Sequence, residues 1–458
     1  MASPLLPLLV LLLGGCCCSI AHGADAQRYL VVAPSSLKPS ETCSGPKVSP
    51  SKNGATLPLT HRHGPCSPSI SKEKPSLEET LRRDQHRAAY IHAKVSGNGT
   101  KEALQQSAVT ITTSPGFSLG TAEYVVTVGV GTPAMSQVVS IDTGSDVSWV
   151  QCAPCPVRSC YSQKDMLFDP AKSSTYAAFS CGSTQCAQLG GEGNGCLNSQ
   201  CQYMVRYADN SNTTGTYGSD TLTLTSSDVV KSFQFGCSHR AAGFVGQMDG
   251  LMGLGGDAES LVSQTAATYG KAFSYCLPRP SSSAGFLTLG AAGGAAGFAR
   301  TPMARFRNTP TFYGVFPQAI TVAGAQLDVP ASVFSGASIV DSGTVITRLP
   351  PTAYRALRAA FRKEMKAYPS AAPAGNLLDT CFDFSGFSTI TVPKIALTFS
   401  RGAVMDLDIS GILYGSCLAF TAMGQDGDTG ILGNVQQRTF EVLYDVGGGS
   451  VGFRPGAC

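Results

Sequence analysis

The chain contains one short design twice. Val139-Ser140-Ile141-Asp142-Thr143-Gly144-Ser145 recurs as Ser338-Ile339-Val340-Asp341-Ser342-Gly343-Thr344, each reading apolar, Asp, hydroxyl, Gly, hydroxyl. Each copy has a later partner of the form apolar-apolar-Gly, Leu251-Met252-Gly253 after 111 residues and Ile431-Leu432-Gly433 after 92, counted from Asp to Gly. A duplicated pattern asks for two similar units, which constrains the fold more than any average over the chain. In each unit the apolar residues suit a buried strand, and the Gly lets the chain turn tightly against a neighbour. The hydroxyls can hydrogen-bond carboxylate or backbone. The loop tip then presents one aspartate. Two such units about an approximate two-fold axis set Asp142 and Asp341 side by side, where like charges do not both ionise cheaply, so the pair is expected to share a proton.

Length agrees with two units and something more, since 458 residues exceed the roughly 250 at which one core stops growing. Residues 1–23 lack Lys and Arg, run apolar from Leu5 to Leu13 and reach small residues at Ala21 and Gly23. They read as a secretory signal peptide, with an apolar run too short for the roughly 20 residues of a spanning helix. The sequence ends Gly452-Phe453-Arg454-Pro455-Gly456-Ala457-Cys458, without the apolar tail of a lipid-anchored precursor. No membrane association is expected.

Residues 24–115 differ from the rest of the chain. Pro and Ser are scattered, aromatics are few, and one stretch, Leu77 to Val95, places Leu77, Leu81, Ala88, Ile91 and Val95 near a helical period. The segment has twelve Lys and Arg against seven Asp and Glu, leaving twenty-one basic and twenty-three acidic residues from Gly116 onward, so the net +3 hides a basic leader on a mildly acidic body. A basic arm could meet nucleic acid, but behind a signal peptide a removable pro-segment covering an acidic cleft is the more economical reading. Ser114-Pro115-Gly116 is a plausible junction. The expected division is 1–23 signal peptide, 24–115 pro-segment, 116–305 N-terminal lobe with Asp142, and 306–458 C-terminal lobe with Asp341.

The body reads as short strands, Tyr124 to Val130, Val138 to Ile141, Tyr203 to Tyr207, Leu222 to Leu224 and Phe233 to Phe235, punctuated by Gly, Pro and Ser. Thr352 to Tyr368, after two prolines, reads as a helix with Tyr354, Leu357, Phe361 and Met365 on one face. The fold class is therefore mainly β and bilobal, with a basic pro-segment. Of 17 cysteines, three leave with the signal peptide and Cys43 and Cys66 lie in the leader, so an even dozen remains and suggests six disulfides. Cys152, Cys155 and Cys160 lack the second pair or histidines that zinc wants, and no metal is expected. From Gly116 on there is one histidine, His239, which leaves serine and cysteine hydrolases without a convincing base.

With both motifs, their apolar-Gly partners and Trp149 seven residues after Asp142, the chain from about Gly116 to Cys458 resembles the pepsin-like aspartic proteases, in the plant branch that includes the nepenthesins. The resemblance implies an aspartic endopeptidase acting at acidic pH, in which water held between Asp142 and Asp341 attacks a peptide carbonyl. It implies Ser145 and Thr344 as hydrogen-bond partners of the aspartates, Tyr207 as the aromatic of a flap over the substrate, with Tyr203 as its rival, and Trp149 as its support. Where the family has glycines after the flap tyrosine, this chain has Ala208 and Asn210. The cysteine-rich insert Cys181 to Cys201 resembles the nepenthesin insertion, which implies pairs Cys152 with Cys155, Cys160 with Cys237, Cys181 with Cys201, Cys186 with Cys196, Cys276 with Cys458, and Cys381 with Cys417.

Asn98 and Asn212 head glycosylation acceptor triplets. His61-Arg62-His63 or the basic helix is expected to pair with the aspartates and to lose hold at low pH. No cofactor is implied; the partner is a polypeptide in the inter-lobe cleft, not nucleic acid, and a monomer is expected. Secretion to the cell wall space is the expected location, with vacuole or plastid as alternatives. The rival function is a catalytically weak or inactive binding or inhibitor protein on the same scaffold, like the plant xylanase inhibitors or basic seed globulins; two intact motifs favour the enzyme.

Overall fold

β-branched and aromatic residues broken by Gly, Pro and Ser favour short, half-buried strands, and strands dominate the molecule. The computed structural model describes residues 28–37, 42–43, 54–68, 75–96 and 123–458, except 157–158, 208–210, 245–247, 280–283 and 291–296. The expected signal peptide, the expected junction near Ser114, the expected acceptor Asn98 and the expected flap-tip residues Ala208 and Asn210 lie outside the described residues.

The two Asp motifs occupy matching strand arrangements. Strand Met135–Asp142 runs parallel to Gly250–Gly253, which pairs antiparallel with Trp149–Gln151; that strand in turn runs parallel to Val229–Ala242. In the other half Ser338–Val340 runs parallel to Gly430–Leu432, which pairs antiparallel with Thr347–Leu349; that strand runs parallel to Phe420–Ala422. The apolar-apolar-Gly segments are thus the strands beside the Asp strands. Gly253 stands opposite Asp142, where an added Cβ would meet the Asp146 carbonyl oxygen at 2.2 Å, so only glycine permits the approach.

The first arrangement belongs to a 15-stranded sheet and the second to a 6-stranded one. The N-terminal segment is built into this framework. Tyr29–Val32 pairs with Ile390–Pro393, and Ala55–His61 is inserted between Gly285–Leu289 and Tyr124–Val130. Alternation buries Leu57 and Leu59 beneath the inserted strand, each worth about 1.5–3 kcal/mol on removal from water. The helix Leu77–Val95, capped by Ser76 accepting from the Glu79 amide at 3.1 Å, buries Leu81, Ala88 and Ile91. A second helix, Pro351–Glu364, starts on its proline and buries Tyr354, Leu357 and Phe361, with Met365 buried just beyond its end. Among the described residues no helix is long and apolar enough to cross a membrane.

Seven disulfides join described residues, and four of the expected pairs are corrected. Cys152 pairs with Cys237 and Cys155 with Cys160. The cause is register: Val150 stands opposite Cys237 in the parallel pair, so Cys152 at the end of that strand reaches Cys237 and leaves Cys155 for Cys160, five residues on. In the insert Cys181 pairs with Cys196 and Cys186 with Cys201, each across 15 residues. Nested and staggered pairings close loops of similar size, so sequence spacing does not choose between them. Cys276–Cys458 and Cys381–Cys417 are as expected, and Cys43–Cys66 adds a bridge within the N-terminal segment.

Candidate active site

Asp142 ends its strand and Asp341 directly follows Ser338–Val340, so each carboxyl stands at the C-terminal end of an interior strand, where the motif loop begins. The two loops hold their carboxyls alike. Asp142 Oδ1 accepts from the Gly144 amide at 3.0 Å and Oδ2 from the Ser145 hydroxyl at 2.8 Å. Asp341 Oδ1 accepts from the Gly343 amide at 3.2 Å and Oδ2 from the Thr344 hydroxyl at 2.5 Å. The loops also lock to each other: the Ser342 amide donates to Thr143 Oγ1 at 2.9 Å and the Thr143 amide to Ser342 Oγ at 3.2 Å. Behind them Ser148 Oγ accepts from the Gly253 amide at 3.0 Å and Thr347 Oγ1 from the Gly433 amide at 2.9 Å, each six residues beyond its Asp. The motif hydroxyls of Thr143 and Ser342 were expected to hydrogen-bond carboxylate or backbone; Ser148 and Thr347 were not singled out in the sequence, although their equal offsets in the repeat could have found them.

Arg87, from the middle of helix Leu77–Val95, lies between the two carboxyls. Its Nη2 donates to Asp142 Oδ1 at 2.6 Å and to Asp341 Oδ1 at 2.8 Å, and its Nε to Asp341 Oδ2 at 2.7 Å. One nitrogen therefore bridges both aspartates, which are 1% and 0% exposed. Burial by itself raises the Asp341 carboxyl, but the Arg87 guanidinium, with Thr344 and the Gly343 amide, outweighs it and holds the group below its ordinary range. The basic helix is the element at the aspartates, whereas His61-Arg62-His63 is not: His61 Nε2 faces Glu123 at 3.5 Å, and Glu123 also takes Arg438 at 3.3 Å.

Trp149 donates its indole N–H to the Tyr207 hydroxyl at 2.7 Å, and both rings pack on Phe244. Tyr207 closes a hairpin through its amide bond to the Ser211 carbonyl and lines a pocket with Arg87, Asp142, Ser145 and Asp146. Tyr203, the rival, is fully buried with its hydroxyl on Thr213 at 2.8 Å. Asn212 is half-buried at the start of strand Asn212–Thr223, opposite Arg206. His239 sits by the Pro154 carbonyl at 3.1 Å, away from the aspartates. Among the described residues no group of three His, Cys, Asp or Glu is placed to hold a metal ion.

Residues 124–291 match the family model described as xylanase inhibitor N-terminal, and residues 312–455 the one described as xylanase inhibitor C-terminal. An aspartyl protease family protein of Arabidopsis thaliana is 44% identical, over 93% of this chain and 92% of its own. Aspartic proteinase nepenthesin-2 of Nepenthes gracilis is 38% identical, over 74% of this chain and 78% of its own. The crystal structure of conglutin gamma, a basic 7S globulin from lupine seeds, superposes with a TM-score of 0.57 at 20% identity, covering 72% of this chain and 91% of that one, a likeness of fold. With curated relatives this similar over most of its length, the chain belongs to the pepsin-like aspartic protease family, in its plant, nepenthesin-type branch.

Proposed function

We propose that this chain is the precursor of a secreted aspartic endopeptidase whose catalytic dyad is Asp142 and Asp341, and that residues 24–115 are a pro-segment held in the cleft by Arg87. The observation that carries the reading is the convergence of two equivalent, buried carboxyls on one guanidinium nitrogen. With Arg87 in place no water can lie between the carboxyls. Once the helix leaves, one ionised and one protonated carboxyl hold a water. The ionised group takes its proton as it attacks the peptide carbonyl, and the other donates to the carbonyl oxygen. Ser145 and Thr344 fix the outer oxygens so that the inner ones face the water. Tyr207, tied to Trp149, is the flap aromatic over the substrate.

The family-model descriptions favour a second reading, a binding protein on the same scaffold. Binding of a pepstatin-type transition-state mimic separates them, because a working dyad holds the mimic's hydroxyl between its carboxyls. After acid processing, tight binding that Asp341→Asn abolishes is expected. A processed, disulfide-bonded sample that ignores the mimic contradicts the enzyme reading.

A further inference from the structure

The N-terminal helix makes a second charged contact with the cleft wall, one turn before Arg87. Asp84 is 0% exposed. Its Oδ1 accepts from the Val345 amide at 2.5 Å and its Oδ2 from the Ile346 amide at 3.1 Å, while Arg348 Nη1 donates to the same Oδ2. Two backbone amides and a guanidinium converging on one carboxylate make a complete receptor for that group. All three donors come from the stretch that leaves the Asp341 loop, so the receptor adjoins the candidate dyad.

Arg348 is not free to move away. Its backbone is paired with Ile431 on one side and Thr421 on the other, and its side chain is 2% exposed. Nη1 also donates to the Ile346 carbonyl, while Nη2 is buried without a hydrogen-bond partner among the described residues, leaving a donor in the site unused. One turn further up the helix, Leu81 covers the adjoining apolar wall of Val345, Ile346 and Leu378. The guanidinium belongs to the body of the chain, and its carboxylate to the segment proposed as removable. A buried guanidinium stripped of its partner is costly, so departure of the helix leaves a site that calls for another anion.

We propose that Arg348, with the amides of Val345 and Ile346, is an acid-selective substrate subsite of the processed enzyme, and that Asp84 occupies it in the precursor as a stand-in for an Asp or Glu side chain. The proposal rests on the endopeptidase reading. Asp84 and Arg87 are three residues apart, about 4.5 Å along a helix, and an extended peptide advances about 3.3 Å per residue. The recognised residue therefore lies within about three positions of the scissile bond.

The test is a set of peptides in which one Asp is walked through the three positions on each side of a cleavable apolar pair, each paired with its Asn counterpart, at about pH 5, where a free Asp is ionised. The acid-processed chain should cleave the peptide with Asp at one position about tenfold faster, in kcat/KM, than its Asn twin, and in Arg348→Met that ratio should fall to about one. The ratio is taken within one enzyme, so it is insensitive to the active fraction. The double variant Asp84→Asn with Arg348→Met carries no orphan charge in the precursor and yields the same processed protein if the single variant does not fold. Equal rates for Asp and Asn at every position, or a preference that survives in Arg348→Met, would overturn the subsite alone. No cleavage of any peptide by the processed wild-type chain would overturn the endopeptidase reading and the subsite with it.

Discussion

Each aspartate in the cleft is individually expensive, buried beyond water with its oxygens taken by a hydroxyl, an amide and Arg87, and at Asp341 these partners hold the carboxyl below its ordinary range. Removing the guanidinium leaves two carboxyls without a counter-charge, and breaking a buried ion pair in this way costs about 3–5 kcal/mol. Arg87→Gln is therefore expected to loosen the helix from the cleft and to speed processing at a given acidic pH. A precursor half-life equal to wild type across the acid range contradicts that role. At Thr347 the hydroxyl receives the buried Gly433 amide, so Thr347→Val leaves an unsatisfied donor and should lower unfolding stability by about 1–3 kcal/mol in denaturant titration. The aspartates were legible because the motif is repeated. Arg87 was not: Arg82, Arg83 and Arg87 look alike in sequence, and only docking shows Arg82 and Arg83 turned to Glu79 while Arg87 reaches the carboxyls.

At the scale of elements, acidification acts through His61, Glu123 and Asp341 with one sign, while burial raises the Asp84 carboxyl against the pull of Arg348 and so opposes them at the helix. Burial lowers the His61 imidazole below its usual 6.5, against the pull of Glu123, so strand Ala55–His61 docks with this group neutral. Docking is undiminished above about 6.5 and weakens below it, as the free strand takes up the proton more readily than the docked one. Glu123, which burial would raise but His61, once protonated, and Arg438 bring down to about 2, adds stability above 4.5 that is lost as pH falls toward 2. The lowered Asp341 works in the same direction at the helix. Amide exchange in Ala55–His61 should therefore quicken as pH falls from 7 to 4, after correction for intrinsic rates, and His61→Gln should move the onset to lower pH. An unshifted onset would rule out His61 as a trigger. The helix Leu77–Val95 and strand Tyr124–Val130 were readable to the residue because their apolar periods are regular. The insertion of Ala55–His61 into the large sheet was not, since pairing across more than 200 residues leaves no local trace.

Across the whole molecule, the C-terminus is tied back to strand Ala272–Cys276 by Cys276–Cys458, which closes 182 residues, and Glu441–Asp445 pairs with that same strand. Long loops lose the most chain entropy on closure, so Cys458→Ser should cost about 2–5 kcal/mol of unfolding stability, read by denaturant titration of the oxidised protein. A loss below about 1 kcal/mol would show that the paired strands alone hold the two halves together. The bilobal, mainly β plan was legible from the repeat; four of the disulfide pairs were not, because register decides Cys152–Cys237 and spacing does not choose between the nested and staggered pairs of the insert. Everything proposed for the cleft turns on whether Asp142 and Asp341 together cleave peptide bonds once the N-terminal segment is gone. Hydrolysis of a denatured general protein substrate between about pH 3 and 8 by the acid-processed chain, beside Asp142→Asn and Asp341→Asn, decides it. Acidic activity that fades toward neutrality and is abolished in both variants is expected; activity indifferent to either aspartate, or none in a correctly processed wild-type sample, would contradict the dyad.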